Sequence, residues 1–411
     1  MSDIAPQDRV TRRRVFYIPG YDPFPPRRYR ELYRSESAAQ ANISGYQIDI
    51  AARPKGATFG WTAQATVGEA ASKAQIDVLI WSDIVRDSMT NSIPATYCQL
   101  FRTAWIYIST GTLWRLMRLR KGPVIAALYP IGMLLLQLLI ALAAGAFVYP
   151  RLSEVLGSFL GAGGVALALA VSAALAWFIL DWLKARDGKL FAYYLMHDYG
   201  YSARWRGTYP AELEARIAAF GQQIRAAFDD DVDEVLIVGH SSGAHLAVSI
   251  LADLIRAGDI PIDGPKCGFL TLGQVVPMVS FLPKADRLRA DLAYLSTQNA
   301  LTWVDVTAPG DGCAFALCDP VAVTGVAPEG HRWPLVVSAA FTQTLKPETW
   351  KALRWRFFRL HFQYLCAFDN PGDYDYFQIT AGPQTLAARY RDRQPSKSRI
   401  TKPTSKYRSV A

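Results

Sequence analysis

Cysteine and histidine are scarce in this chain of 411 residues, and no targeting signal is recognisable in it. No Cys-x-x-Cys pair occurs, and no spacing of cysteine and histidine matches a zinc site. These absences exclude the common zinc folds and a dense disulfide framework, and they indicate free thiols in a reducing compartment. The cysteines are Cys98, Cys267, Cys313, Cys318 and Cys366.

We expect no signal peptide at the amino terminus, because its apolar run of residues 15–18 is short and meets Pro19-Gly20. No RNA- or DNA-binding motif accompanies the basic residues at the two ends, so we do not expect nucleic acid as a partner. The net charge of +9 suits the anionic cytoplasmic face of a membrane, or a merely solvated tail. We predict a basic segment over 1–14 and a basic, disordered tail over 391–411.

Two long apolar stretches, 124–149 and 155–180, contain no charged residue. Each exceeds the roughly 20 residues that a helix needs to cross a bilayer. A pair of buried helices in a soluble core would be the alternative, but such helices seldom stay apolar on every face for so long. The sequence therefore predicts a transmembrane hairpin over 121–186, with its turn at 150–154.

Basic residues flank this hairpin at its outer ends, which places both flanks in the cytoplasm and the turn on the far side. We expect four tryptophans to anchor it near the interfaces. We also expect an integral membrane protein whose remaining part lies in the cytoplasm, for which a bacterial inner membrane is the simplest host. The flanking residues are Arg115, Arg118, Arg120, Lys121, Lys184 and Arg186, and the tryptophans are Trp105, Trp114, Trp177 and Trp182.

Outside the hairpin, predicted strands alternate with predicted helices, which is typical of an α/β fold with a mainly parallel sheet covered on both faces. This α/β part would comprise 15–120 and 187–390. We predict strands at 15–19, 46–52, 57–67, 75–81, 235–238, 268–272, 301–306 and 335–341, and helices at 28–41, 213–228, 244–255, 285–295 and 349–366.

One sequence motif, a serine between glycines, indicates a chemical function. The apolar strand 235–238 leads into Gly239-His240-Ser241-Ser242-Gly243, and an apolar helix follows. A sharp turn between strand and helix exposes a serine, and small residues beside it let the two elements approach closely. The N–H of Ser242 then lies at a helix amino terminus, where it can stabilise an oxyanion. We predict that Ser241 is a nucleophile.

Residues 234–251 resemble the nucleophile elbow of α/β-hydrolase esterases and lipases, and GHSSGAHLA is similar to carboxylesterase-like members. The order of strands is similar to that family over most of residues 15–385, apart from the inserted hairpin. The resemblance implies a Ser-His-Asp triad in the chain order Ser, Asp, His, with the acid after the second strand beyond the elbow and the histidine after the last strand.

Asp311 follows the second strand beyond the elbow, in Ala308-Pro309-Gly310-Asp311-Gly312, and is the predicted acid. Asp305 within that strand and Asp319 beyond it remain alternatives. A turn or capping role is also open to each, since aspartate is common beside Gly and Pro.

Among the five histidines, only His361 follows the last strand, so we predict it as the base. It lies in a stretch that looks helical, and a buried structural histidine is the competing interpretation. His331 precedes the last strand and is the first alternative. His240 and His245 are expected to pack locally, and His197, which follows the second apolar stretch, is expected near the membrane interface.

The second oxyanion donor in this family comes from the loop after the first core strand. The matching residues here are Ile18-Pro19-Gly20-Tyr21, so the N–H of Tyr21 is the predicted donor, and a simple Pro-Gly turn is the alternative.

The sequence thus favours a membrane-anchored serine hydrolase that acts on a small-molecule or lipid ester and needs neither metal nor organic cofactor. A non-catalytic scaffold on a hydrolase fold is the second hypothesis, and an acyltransferase or peptidase using the same serine is the third. The acyl and alcohol groups, the pathway and the oligomeric state cannot be deduced from the sequence.

Overall fold

The computed structural model describes Ala5 and residues 8–53, 58–89 and 92–411. Most of the region before Asp8 therefore lies outside the described residues. So does Ala57, the predicted start of the third strand. The five cysteines are all described, and they form no disulfide.

In the described chain, eight strands form one sheet in the order β2-β3-β4-β1-β5-β6-β7-β8. The run from β4 to β8 is parallel, while β3 is antiparallel to both β2 and β4. The strands are β1 (Arg12–Ile18), β2 (Gln47–Ala52), β3 (Gly60–Val67), β4 (Ala70–Val78), β5 (Glu234–His240), β6 (Lys266–Leu272), β7 (Thr302–Thr307) and β8 (Leu335–Ser338).

The helices connect and cover these strands. They are α1 (Arg27–Ser44), α2 (Ser82–Ser88), α3 (Ile93–Ser109), α4 (Thr112–Leu119), α5 (Lys121–Leu160), α6 (Ala162–Lys184), α7 (Asp187–Leu190), α8 (Ala192–Arg204), α9 (Ala211–Ala227), α10 (Gly243–Ala257), α11 (Val276–Ser280), α12 (Asp286–Leu295), α13 (Pro320–Thr324), α14 (Phe341–Thr344), α15 (Pro347–Leu353), α16 (Phe357–His361), α17 (Tyr376–Ala381) and α18 (Leu386–Arg389).

The central strand β5 is buried along its whole length. Its run of Val235, Leu236, Ile237 and Val238 is apolar on both faces, as a parallel strand covered by helices on two sides requires. One face packs with α1 and α17 in the main core. Helix α10, packed between α9 and α12, covers the other. The predicted α/β class with a mainly parallel, covered sheet is confirmed.

The chain divides into two compact units. The first contains the sheet and comprises Met1–Arg86, Ile108–Pro123 and Trp205–Ala411. The second is helical and comprises Asp87–Tyr107 and Val124–Arg204. The helical unit is therefore larger than the predicted hairpin of 121–186, because α3 and α8 pack with α5 and α6 around Tyr97, Leu134 and Met196.

Helices α5 and α6 are 40 and 23 residues long and apolar enough to cross a membrane. Only 22% of the most apolar part of each is buried within the protein, unlike a helix in a soluble core. They pack as an antiparallel pair through small residues: a Cβ on Gly145 would lie 3.0 Å from Ser172 O, and one on Gly164 only 2.0 Å from Leu156 O.

The turn of this hairpin is not at 150–154, where we predicted it. Helix α5 continues through Pro150 to Leu160, and the chain reverses at Gly161, which has φ 58°. The residues after Pro150 include Arg151, Leu152 and Glu154, which favour a helix. A positive φ suits glycine, so the reversal falls there instead.

The carboxy-terminal tail is ordered, contrary to the prediction of disorder over 391–411. Ile400 N–H donates to Leu317 O at 2.7 Å and Thr404 N–H to Val323 O at 2.8 Å. Ser405 is buried. The tail therefore adds backbone hydrogen bonds to the sheet unit, and its basic composition alone did not reveal them. The predicted anchors Trp105, Trp114, Trp177 and Trp182 are all exposed.

Candidate functional site

Ser241 occupies a sharp turn between β5 and α10. Its φ of 55° lies in the left-handed region, which a residue with a side chain rarely adopts. Its N–H donates to Leu272 O at 2.9 Å, and its carbonyl accepts from Ala244 N–H at 3.1 Å. The serine is partly exposed although β5 before it is buried. The turn therefore presents the hydroxyl at the carboxyl edge of the sheet.

Two glycines make this turn possible. A Cβ on Gly239 would lie 2.7 Å from Ala244 Cα, and one on Gly243 would lie 2.1 Å from Ile18 O. Both contacts are with backbone atoms and cannot be relieved by a side-chain movement. The glycines of the motif thus allow β5, α10 and the end of β1 to meet around Ser241.

The loop after β1 runs alongside the serine. A Cβ on Gly20 would lie 3.0 Å from Ser241 Cβ and 3.4 Å from its Oγ. Trp81 Nε1–H donates to Pro19 O at 2.9 Å and holds the loop in place. The Tyr21 ring packs edge-on against Trp81, with ring centroids 6.0 Å apart. The backbone at Gly20 and Tyr21 therefore lies next to the predicted nucleophile.

Asp311 and His361 lie together. His361 Nδ1 is 2.7 Å from Asp311 Oδ2, and both side chains are buried. Asp311 Oδ2 also accepts from Tyr364 Oη–H at 3.0 Å, and its Oδ1 accepts from Cys313 N–H at 2.8 Å. Because a carboxylate only accepts, Nδ1 carries the proton, which leaves Nε2 of His361 as the basic nitrogen.

Burial alone would raise the pKa of the Asp311 carboxyl. The charge of His361 and the hydrogen bonds from His361, Cys313 and Tyr364 outweigh burial, and the net pKa is lowered. Asp311 is therefore ionised at neutral pH, as a residue that orients an imidazole and stabilises its charged form must be.

The imidazole edge of His361 approaches the serine turn from the other side. A Cβ on Gly273 would lie 3.0 Å from His361 Cε1, and the preceding carbonyl, Leu272 O, accepts from Ser241 N–H. Ser241 Oγ itself forms no hydrogen bond with any described residue. Hydrogen bonds between catalytic groups are often long without substrate and tighten when it binds.

The other acidic candidates have different roles. Asp305 lies inside β7, where Thr271 Oγ1–H donates to its Oδ1 at 2.6 Å. Asp319 caps α13 by accepting from Val321 N–H and Ala322 N–H, both at 3.0 Å. Neither contacts His361.

The other histidines are also engaged elsewhere. His331 Nε2 lies 3.4 Å from Asp319 Oδ2. His197 Nδ1 is 2.8 Å from Gln99 Oε1 in the helical unit, and His245 Nδ1 is 2.9 Å from Tyr209 Oη. The arrangement thus favours Asp311 and His361 over each of the alternatives.

Two supporting residues were not identified from the sequence. His240 Nε2–H donates to the carbonyl of His361 at 3.1 Å, which connects the serine turn to the predicted base. Burial, followed by the nearby charge of His361, lowers the pKa of His240 to about 3, so this histidine stays neutral. Tyr364 Oη donates to Asp311 and accepts from Ala308 N–H at 3.0 Å. His240 lies within the motif and Tyr364 is three residues after His361, but neither position signals such a role.

Asp311, Cys313 and His361 are close enough together to be metal ligands, since one donor atom of each lies within 4.8 Å of the others. Both oxygens of Asp311 already accept hydrogen bonds, one of them from His361 Nδ1. A metal between them would need His361 to turn its other nitrogen inward or to lose its Nδ1 proton. The contacts therefore fit a hydrogen-bonded dyad better than a metal site.

Comparisons of the chain with protein-family models, curated proteins and solved structures found no match.

A cavity of about 570 Å³, lined among others by His331, Arg332 and Arg399, lies at the amino ends of β7 and β8. It is therefore at the opposite edge of the sheet from Ser241 and does not belong to this site.

Proposed function

We propose that the chain is a membrane-anchored serine hydrolase of the α/β-hydrolase type that cleaves a carboxylic ester. The observation that carries this proposal is the buried Asp311–His361 pair, at 2.7 Å, beside a serine held at φ 55°. The three residues come from three separate segments of the chain that meet at the carboxyl edge of one sheet, where catalytic groups of such folds assemble.

In the proposed reaction, Ser241 Oγ attacks the ester carbonyl while His361 Nε2 takes its proton. The N–H groups of Ser242, at the start of α10, and of Tyr21, beside Gly20, stabilise the oxyanion. His361 then returns the proton to the departing alcohol, leaving an acyl group on Ser241. Water, activated by the same nitrogen, hydrolyses this acyl-enzyme.

Helices α5 and α6 supply the proposed anchor, with both outer flanks in the cytoplasm. A membrane anchor favours an amphiphilic ester that partitions into the bilayer. The missing hydrogen bond at Ser241 Oγ instead favours the second candidate, a non-catalytic protein on the same scaffold.

Covalent labelling separates these two candidates. The full chain, in detergent, is treated with a tagged fluorophosphonate, and we expect one adduct on Ser241. Ser241→Ala abolishes the adduct, whereas Ser242→Ala keeps it, because only the backbone of Ser242 takes part. If the folded wild-type protein does not react, the result would contradict the hydrolase and support the non-catalytic scaffold.

Turnover assigns the other two members of the site. Asp311→Asn and His361→Ala should each lower kcat by about 10⁴-fold, with hydrolysis of a short ester as the readout. Asp319→Asn and His331→Ala change the other Asp–His pair of the sheet unit and serve as matched controls. Loss of turnover in His331→Ala would overturn the assignment of His361.

Adding competing alcohols tests for acyl transfer, and adding peptides tests for peptidase activity.

A further inference from the structure

Next to the catalytic histidine lies a segment with an unusual surface. Residues 354–359 read Arg-Trp-Arg-Phe-Phe-Arg, and all six are exposed. The exposed fractions of Trp355, Phe357 and Phe358 are 73%, 44% and 39%. The segment follows α15, and its last residues belong to α16, which ends at His361. We call residues 354–359 the arginine–aromatic segment.

Three exposed aromatic rings in six residues are costly in water and mark an interaction surface. Tryptophan favours the boundary between membrane and water, and arginine can keep its charge among headgroups while its stem covers apolar surface. Arg354 and Arg356 form no ion pair with any residue that the structure describes, and the Arg354 guanidinium lies 5.6 Å from the Trp355 ring centre. Their unneutralised charge suits an anionic surface.

The segment is also connected to the start of the candidate membrane helix. A Cβ on Gly312 would lie 3.0 Å from Phe357 Cδ1, and a Cβ on Gly122 would lie 3.3 Å from Gly312 O. Arg120 Nε–H donates to Ala316 O at 2.8 Å and fixes the same region. Gly122 is the second residue of α5, whose exposed apolar surface begins at Ile125. Phe357, the loop of Asp311 and the first turn of α5 are thus in contact.

We propose that the arginine–aromatic segment docks on the anionic leaflet of the membrane that holds α5 and α6, so that an ester dissolved in that leaflet reaches Ser241 without crossing water. The docking stands on the surface of the segment alone. The delivery of substrate rests on the proposed hydrolase function. The substrate class is then a bilayer-resident ester in an anionic membrane.

Depth measurement tests the docking without reference to catalysis. The full chain is placed singly in lipid nanodiscs, with a nitroxide on Trp355→Cys in a Cys98→Ser background. The control label is on Ile262→Cys, since Ile262 is 90% exposed and precedes β6, at the opposite edge of the sheet. The Cys98→Ser chain without an added cysteine gives the background. Accessibility is measured to oxygen, which enters lipid, and to a water-soluble nickel chelate.

In phosphatidylglycerol discs we expect the label at 355 to be oxygen-accessible and shielded from the chelate, and the label at 262 to be open to the chelate. Arg354→Gln with Arg356→Gln should reduce the shielding, as should discs of phosphatidylcholine. Equal chelate access at 355 and 262 would overturn the docking. Shielding that appears only when two chains share a disc would also overturn the docking, because a second copy of the chain would then cover the label at 355.

Kinetics test the delivery. The double variant Arg354→Gln/Arg356→Gln should lose about 25-fold in kcat/KM on a long-chain ester dissolved in phosphatidylglycerol discs, since each of the two arginines near an anionic surface contributes about fivefold in association. It should hydrolyse a short, water-soluble ester at the wild-type rate. Equal losses on both esters would overturn the delivery. A wild-type protein inactive on both would contradict the hydrolase function, while the depth measurement would still decide the docking.

Discussion

Asp305 and Asp311 show how local contacts decide the ionisation of a buried carboxyl. Asp305 lies within β7, where one donor, Thr271 Oγ1–H, reaches its Oδ1 and none of the described groups reaches its Oδ2. Burial therefore raises its pKa to about 8. Asp311 receives three donors, one from His361, and its pKa is lowered despite burial. Of these two aspartates, only Asp311 is charged at neutral pH.

The raised pKa of Asp305 predicts a pH dependence of stability. The folded state holds this proton more tightly than the unfolded state, whose pKa is near 3.8. The stabilisation is thus fully present below pH 3.8 and is lost as the pH rises towards about 8. Asp305→Asn cannot ionise and therefore does not suffer this loss. The free energy of unfolding of the variant, relative to that of the wild type, should rise by at least about 1 kcal/mol between pH 5 and pH 9.

Urea unfolding of the full chain in detergent, at both pH values, measures this difference. Turnover by Asp305→Asn on a short ester should stay near the wild-type level, since Asp305 does not contact His361. Parallel pH dependences of stability for the two proteins would contradict the protonated state of Asp305.

At the scale of elements, apolar or β-rich runs were enough to locate every strand of the sheet, although their ends moved by up to five residues. Val235–Val238 extended to Glu234–His240, and the predicted strand 75–81 became Ala70–Val78. The start of β4 was missed because Ala71, Ser72 and Lys73 are small or polar and do not continue the apolar run, although they pair with β3 across a tight hairpin. Pairing with β3 across the hairpin and with the distant β1, where Arg12 lies opposite Lys73, decides this end, and the segment alone does not reveal it.

The site was predictable to a similar extent. The elbow predicted Ser241, and chain order predicted Asp311 and His361, which the structure brings together. The role of His361 at the end of a short helix was the weakest part of the prediction. The predicted helix over 349–366 is broken at Arg354–Arg356, between α15 and α16. His240 and Tyr364 could not be predicted, since their importance comes from hydrogen bonds across the fold.

The α5–α6 hairpin depends on close backbone approach at one glycine. A Cβ on Gly164 would lie 2.0 Å from Leu156 O, whereas a Cβ on the adjacent Gly163 would meet nothing within 4 Å. Gly164→Ala should therefore force the helices apart and lower the thermal unfolding temperature of the full chain. Gly163→Ala, with the same change of composition in the same helix, should leave it unchanged or slightly raised.

Circular dichroism at 222 nm in detergent measures both variants. Equal unfolding temperatures for Gly164→Ala and wild type would show that the two helices are not packed through this contact.

At the scale of the whole molecule, the charges and the apolar helices together predict a sidedness. Both flanks of the hairpin are basic and should remain in the cytoplasm, while the turn at Gly161 should lie on the far side. Cys98, which is exposed, should then react with a membrane-impermeant maleimide only from the cytoplasmic face. A cysteine at Ser158→Cys, in a Cys98→Ser background, should react only from the opposite face.

Intact and inverted vesicles provide the two faces, and detergent-lysed vesicles show that each cysteine can react. Reaction of both cysteines from one face would contradict a membrane-crossing hairpin.

In the sequence, most of the helical unit is inserted between β4 and β5 of the sheet unit, and this order has a consequence for how the protein is made. Strands β1 and β4 precede α5 and α6 in the chain, yet β1 pairs with β5, with Arg13 opposite Glu234. A ribosome must therefore complete both apolar helices before the central partner of β1 exists. During that interval the side of β1 that later pairs with β5 is an open sheet edge, which invites aggregation. Synthesis thus imposes an order in which both apolar helices leave the ribosome first, and the edge of the sheet that carries Ser241, Asp311 and His361 is assembled only afterwards.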